Sequence, residues 1–356
     1  MNAQLPDSGD LFLEAVNAAV TIEEPADAAN VLLQITTALF EAGNTDYAHA
    51  LLQKSFRRIR ELDDPKERSY LLRLFVTLQC RQGLVDAAAE TLPQIDDSEQ
   101  RAVALKELAM ANVKAGRLDD ARKIAEEEIE DNDDYEAVLA AIGEERPPEA
   151  EMMPNISLES ARKIDDVFHR STVLRQIGTT LHQNGKPSEA RAVFKETLNA
   201  VRQIRNSYSR TNSLTDFAVD LANTGIDDGA IKVFRLAVDA AQEIENVSFA
   251  LPCLCRIVEC QTSARFFDEA FDAVNVIEDL RDEIPRKSSE RGPFDRDFSP
   301  VLGKLAVGLA DSAEFEEESI PLLQKALDIA RNIGDAQCRA IALMRLAYAS
   351  GSVRFA

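Results

Sequence analysis

The stretch LRQIGTTLHQNGKPSEARAVF, residues 174–194, decides how this chain is read. Leu174, Ile177, Gly178 and Leu181 fall three, one and three residues apart, which lines them along one stripe of an amphipathic helix. Gly185 then supplies a residue that tolerates the left-handed conformation in which helices end. A second stripe follows, with small Ala190 four residues before bulky Phe194. The small residue lets two helices approach closely and the bulky one fills the space behind. The stretch predicts a helix, a tight turn and a returning helix.

Outward from this point the pattern repeats. A step of 40 residues leads to Leu214, Phe217, Ala218, Leu221, Gly225, Ala230 and Phe234. The same step joins Ile164, Ile204, Ile244 and Ile284, and it carries Ile22 to Leu62 and Gly43 to Gly83. Leu32, Leu72, Leu105, Leu254 and Leu343 extend the leucine column, and Ala48, Ala88, Ala121 and Ala270 the alanine column. Between units, Glu24, Asp64, Asp97, Asp166, Asn206, Asn246 and Asp335 share one position. All but Glu24 are good N-cap types. Pro25 and Pro65 follow at the first helical position, where proline costs least. An arginine recurs four residues after the cap, at Arg68, Arg101, Arg170, Arg210 and Arg339, and an i,i+4 pair with the capping acid is expected of it. Such periodicity predicts an all-α fold, an α-α superhelix (solenoid) of antiparallel helix-pair repeats with a period of about 40 residues.

The two units Leu174–Phe194 and Leu214–Phe234 resemble the tetratricopeptide repeat, with its order of large, small, aromatic, Gly, Ala and aromatic positions. The resemblance covers nearly the whole chain. It departs in period, about 34 residues being usual for that family, in the leucine that replaces the aromatic of the first helix, and in the missing proline after the second. A related antiparallel helix-pair repeat is the alternative.

The repeat breaks in three places. From Leu62 to Ile95 the step is only 33. Between Ile129 and Ile164 the register is lost, and Glu126–Glu151 holds 12 acids against the single base Arg146. Pro147, Pro148 and Pro154 oppose helix there, so a degenerate repeat with an exposed acidic loop is expected. The third break, PRKSSERGPFDRDFSP from Pro285 to Pro300, is polar with three prolines and reads as a surface loop. The expected organisation is therefore N-terminal repeats over 1–142, an acidic proline-containing loop or joint over 143–158, and C-terminal repeats over 159–356. Segments Asp10–Val20 and Ala336–Ser350 read as capping helices for the ends of the stack.

Composition narrows the function classes. The net charge of −22 disfavours nucleic acid, whose phosphates need a basic footprint, and anionic membrane surfaces. No run of about 18 apolar residues predicts a membrane span. The N-terminal MNAQLPDSGDLFLEAVNAAV has no basic region before its apolar stretch, so no secretory signal is read. Five cysteines in no framework spacing suit a reducing compartment, and a cytoplasmic location is expected. His49, His169 and His182 lie in different helices or columns, without metal-ligand spacing. Cys253, Cys255 and Cys260 read as small buried hydrophobes, and Pro252 predicts a delayed helix start or a kink. No phosphate-binding, dinucleotide, nucleophile-elbow or zinc-protease motif occurs. No catalytic residue, cofactor or metal is assigned, and an enzyme is not expected.

What the resemblance implies is a concave groove lined by the first helix of each pair, holding a peptide or a partner helix. Carried over residue by residue, the groove positions are Asn30, Leu33, Tyr70, Arg73, Thr77, Arg81, Lys106, Met110, Lys114, Arg175, Thr179 and His182. Arg73, Arg81, Lys106, Lys114 and Arg175 would then set cations along one wall of an acidic protein, a surface suited to a carboxylate-bearing segment. This is similar to the carboxylate clamp of chaperone-binding members, except that Thr77 and Met110 stand where the clamp carries Asn. The expected function is a protein-protein adaptor or scaffold. The alternative is a structural subunit of a larger or self-associated assembly.

Overall fold

A computed structural model describes residues 8–129, 131–142, 157–285, 288–310, 312 and 316–350. Among these residues the chain is helical throughout, with no strand. It divides into two compact units, Gly9–Glu151 and Met152–Ala356. The acidic segment expected over 143–158 lies outside the described residues, apart from its last two.

The N-terminal unit takes in α1 (Ser8–Val20), α2 (Pro25–Glu41), α3 (Thr45–Arg60), α4 (Pro65–Arg81), α5 (Val85–Thr91), α6 (Ser98–Lys114), α7 (Leu118–Glu128) and α8 (Asn132–Ile142). The C-terminal unit contains α9 (Leu158–Arg162), α10 (Val167–Gln183), α11 (Pro187–Val201), α12 (Ser207–Asn223), α13 (Asp227–Gln242), α14 (Val247–Ser263), α15 (Phe267–Glu283), α16 (Arg291–Ala310), α17 (Glu316–Arg331) and α18 (Ala336–Ser350). Each is an array of antiparallel helix pairs in which first helices pack on first helices, α4 on α6 and α10 on α12 on α14 on α16. Both arrays are α–α solenoids.

The hairpins owe their uniformity to one backbone device. Gly43, Gly83, Gly116, Gly185 and Gly225 take φ between 72° and 76°. The amide after each glycine, from Asn44, Leu84, Arg117, Lys186 and Ile226, donates to the carbonyl five residues back at 2.9 Å, which is a Schellman closure. The sixth hairpin makes the same bond from Phe266 to Gln261, but the left-handed position is held by Arg265 at φ 62°.

The columns read from the sequence are the core. Ala48, Ala88, Ala121, Ala190, Ala230 and Ala270 are all 0% exposed, and the leucine column is buried with them. Burying one such leucine is worth roughly 2 kcal/mol. The cap column also holds: the side chains of Asp64, Asp97, Asp166, Asn206, Asn246 and Asp335 accept from amides of the following first turn. The recurrent arginine does something other than pair with that cap. Nη1 of Arg68, Arg170, Arg210 and Arg339 donates to the carbonyl six residues earlier, in Leu62, Ile164, Ile204 and Ile333, at 2.7–2.8 Å. The side chain reaches back because those carbonyls end the previous helix without a helical partner, and a guanidinium satisfies them. Arg101 makes no such bond among the described residues; α5 ahead of it gives way to a 3-10 turn at Leu92–Gln94, which shortens the repeat.

The degenerate repeat expected in the acidic stretch is described as far as Ile142, where α8 buries Val138 and Ile142 against α6 and α7; the loop expected after it lies outside the described residues up to Ser157. One break folds differently from expectation. The stretch Pro285–Pro300 is not a surface loop beyond its start, because α16 begins at Arg291. Pro293 sits in the first turn, where its missing amide costs nothing. Phe294, Phe298, Val301 and Leu302 form a buried stripe that outweighs the broken hydrogen bond at Pro300. The start of α16 is fixed by Asp295, which accepts from Arg281 Nε at 2.6 Å and Arg291 Nε at 3.3 Å. Arg291 also donates to the Ile284 carbonyl at 3.0 Å, reproducing the arginine clamp one residue out of register. In α14, Pro252 is carried inside the helix instead of delaying it.

Candidate interaction surface on the first helices

In the N-terminal unit the candidate positions recur at helical spacing, three to four residues apart, on α2, α4 and α6. Leu33 is 4% exposed and belongs to the core, not to an accessible wall. Asn30 is half-buried. Met110 is half-buried against the cluster of Ala109, Ala121 and Val138. Tyr70 is 45% exposed, and the Arg73 guanidinium lies 5.1 Å from its ring centre. Arg73 Nε donates to Gln100 Oε1 of α6 at 2.6 Å, a neutral partner that leaves its charge uncompensated. Arg81 and Lys114 stand exposed at equivalent positions of α4 and α6, and neither has an ion-pair partner among the described residues. Lys106, by contrast, is paired with Asp134 of α8, whose hydrogen bond raises its pKa. Thr77 Oγ1 is buried without a hydrogen-bond partner.

In the C-terminal unit the expected cation is spent internally. Arg175 pairs with Asp220 of α12, and Thr179 Oγ1 lies 3.4 Å from the same carboxylate. His182 is half-buried, its Nδ1 without a partner. Arg175 is the first rung of a ladder between successive first helices. Arg256 of α14 pairs with Asp216 of α12, Lys304 of α16 with Glu259 of α14 at 2.7 Å, and Arg345 of α18 with Asp297 of α16 at 2.9 Å. Sequence reasoning identified Arg175 but none of the acids. Their signal was faint, since each lies 40–48 residues from its cation, one repeat plus a few positions.

The remaining candidates for chemistry are dispersed. His49 meets Phe40 edge-on at 5.1 Å, and His169 Nδ1 lies 2.9 Å from its own cap Asp166. The Cys80 thiol is pushed up to about 12 by burial and then by Glu107. Burial likewise raises Cys255 and Cys253. Among the described residues no cluster of three His, Cys, Asp or Glu is arranged to hold a metal ion. No helix among them is long and apolar enough to cross a membrane.

No protein-family model matches the chain, and no curated protein matches it. Among solved structures it is similar to a circular tandem repeat protein with novel repeat topology and enhanced subunit contact surfaces (14% identity, 92% of this chain and 85% of that one, TM-score 0.37). It is also similar to Ton1535 from Thermococcus onnurineus NA1 (15% identity, 94% of each chain, TM-score 0.27). Neither likeness is close enough to bear on function.

Proposed function

We propose that this chain is a tetratricopeptide-like scaffold whose α4–α6 face binds an acidic segment of another protein. The observation that carries the reading is the uncompensated charge of Arg73, Arg81 and Lys114, three cations in a protein of net charge −22. Tyr70 and Val103, each 45% exposed, supply apolar contact beside them. An arginine already stacked on an aromatic ring and held by Gln100 loses little freedom when it takes a carboxylate through two hydrogen bonds. The strip does not extend onto α2, where the positions equivalent to Arg73 and Arg81 are the buried Leu33 and the acid Glu41, and within α6 Lys106 is neutralised by Asp134. The small-residue columns, the Schellman turns and the aromatic partners at Phe194 and Phe234 support the tetratricopeptide likeness over other helix-pair repeats. Five free cysteines fit a reducing compartment such as the cytoplasm.

Fluorescence anisotropy with acidic peptides tests this. Binding should weaken as salt rises. Reversing both Arg73 and Arg81 to Glu should weaken it about tenfold or more, from a few tenths to one kcal/mol lost per exposed pair plus new repulsion. Unchanged affinity in the double variant would remove the basis for the proposal. The competing reading, a subunit of a larger assembly, instead predicts a large mass in light scattering that these reversals leave intact.

A further inference from the structure

The C-terminal unit holds a cavity of about 410 Å³ between the last turns of α12 and α14. Val219, Ala222, Ala264 and Phe266 give it an apolar lining. That volume lies within the range of sites that enclose a ligand or an anchoring side chain, roughly 300–1,000 Å³. The charged residues lining it are both acids, Asp227 at the start of α13 and Glu259 on α14. Glu259 is shared with Lys304, while Asp227 is exposed and has no cationic partner among the described residues. An acidic partner would be repelled by the Asp227 carboxylate, the one charge here without a counter-charge among the described residues, and a purely apolar partner would leave it unused. A cation attached to an apolar group satisfies both features.

We propose that this cavity is a second docking site, which takes one apolar side chain from a basic segment of a partner protein while a Lys or Arg of that segment reaches Asp227. The site stands on residues of the other unit and is opposite in charge preference to the α4–α6 face, so it does not depend on the acidic-segment reading.

Cys260 makes the site measurable. It lines the cavity and is partly exposed, whereas Cys80, Cys253, Cys255 and Cys338 are buried. The full chain is treated with iodoacetamide, and Cys260 alkylation is followed by mass spectrometry with two probe peptides at millimolar concentration. One probe carries a leucine flanked by arginines, the other the same leucine flanked by glutamates. The arginine peptide should slow alkylation of Cys260 about tenfold when the site is filled, and the glutamate peptide should not. Asp227→Lys should abolish the protection, and so should Ala222→Phe, which fills the cavity. Asp227 is exposed, so its variant decides the matter if the cavity-filling one fails to fold. Equal rates with and without the arginine peptide overturn the proposal, as does equal protection by both peptides or full protection of the Asp227→Lys variant.

Discussion

The ring of Phe194 in α11 packs directly against the backbone of Gly178 in α10: a Cβ built on Gly178 would lie 2.5 Å from Cε1 of that ring. The contact shows how the two columns set helix spacing. Where the first helix gives up its side chain, the second supplies a phenylalanine. In the unit two repeats on, Val258 and Val274 occupy the same two columns.

Gly178→Val should therefore destabilise the C-terminal unit by about 2–3 kcal/mol, since an overpacked core has nowhere to move. Pairing it with Phe194→Val reproduces the 258/274 combination and should recover part of the loss. Urea titration of both variants gives the coupling energy directly. Simple additivity would show that the two positions do not set the spacing.

Arg265 is the exception in the glycine column, and its left-handed φ of 62° costs an L-residue about 1–2 kcal/mol. Its guanidinium recovers something from the Phe267 ring, 5.8 Å away. Arg265→Gly removes the strain and gives back about 0.5–1 kcal/mol as chain entropy. A net gain of up to about 1 kcal/mol is expected, visible as a rise of about 2 °C in thermal midpoint.

Asp295 is 7% exposed between the guanidinium groups of Arg281 and Arg291. Asp295→Ala leaves two cations facing each other with no shared acceptor, which costs about 3 kcal/mol or more. The loss should appear in the denaturation midpoint of the C-terminal unit. Loosening of the α16 start should also speed amide exchange there.

Removing one arginine clamp should be milder. Arg210→Ala exposes the Ile204 carbonyl and frees Glu243, and a charged hydrogen bond at a half-buried site is worth about 1 kcal/mol. Asp166→Ala, which leaves the equivalent Arg170 clamp in place, should lose stability through its cap and the exposed His169 contact, again about 1 kcal/mol. If the arginine and its cap acted as an i,i+4 pair, the Arg170/Asp166 double variant would show a coupling of about 0.2–0.5 kcal/mol. Independent actions predict nearly additive losses.

Thiol reactivity should rank by burial. At pH 8, Cys80 and Cys338, raised to about 12 and about 11, carry almost no thiolate, and both are shielded from reagent. Cys260 is raised as well, by its burial, but is partly exposed, so it should be alkylated first and faster as pH rises. Fast modification of Cys80 in the native chain would contradict this packing.

Much of this architecture could be read in the residues. The step from Leu174 to Leu214, the glycines at the turns and the Asp and Asn caps place the helices, and the helix expected over about 336–350 is α18. These features are local: each depends on neighbours within a turn or two, so periodicity exposes them. The first turns of α16 read as a loop because they are polar and carry prolines, while the Phe294–Phe298 stripe needs a neighbouring helix to show its worth. The proposed face is less legible: Leu33, expected on the wall, lies in the core, and Lys106 and Arg175, expected to be available, are paired.

From sequence alone came the repeat, its register and its caps, because hydrogen bonds and apolar stripes within one helix pair are encoded within some 20 residues of each other. The tertiary structure decided which charges remain available. An ion pair between first helices joins residues about one repeat apart, and only the packing of first helix on first helix brings Arg175 to Asp220 while leaving Arg81 and Lys114 without an acid among the described residues.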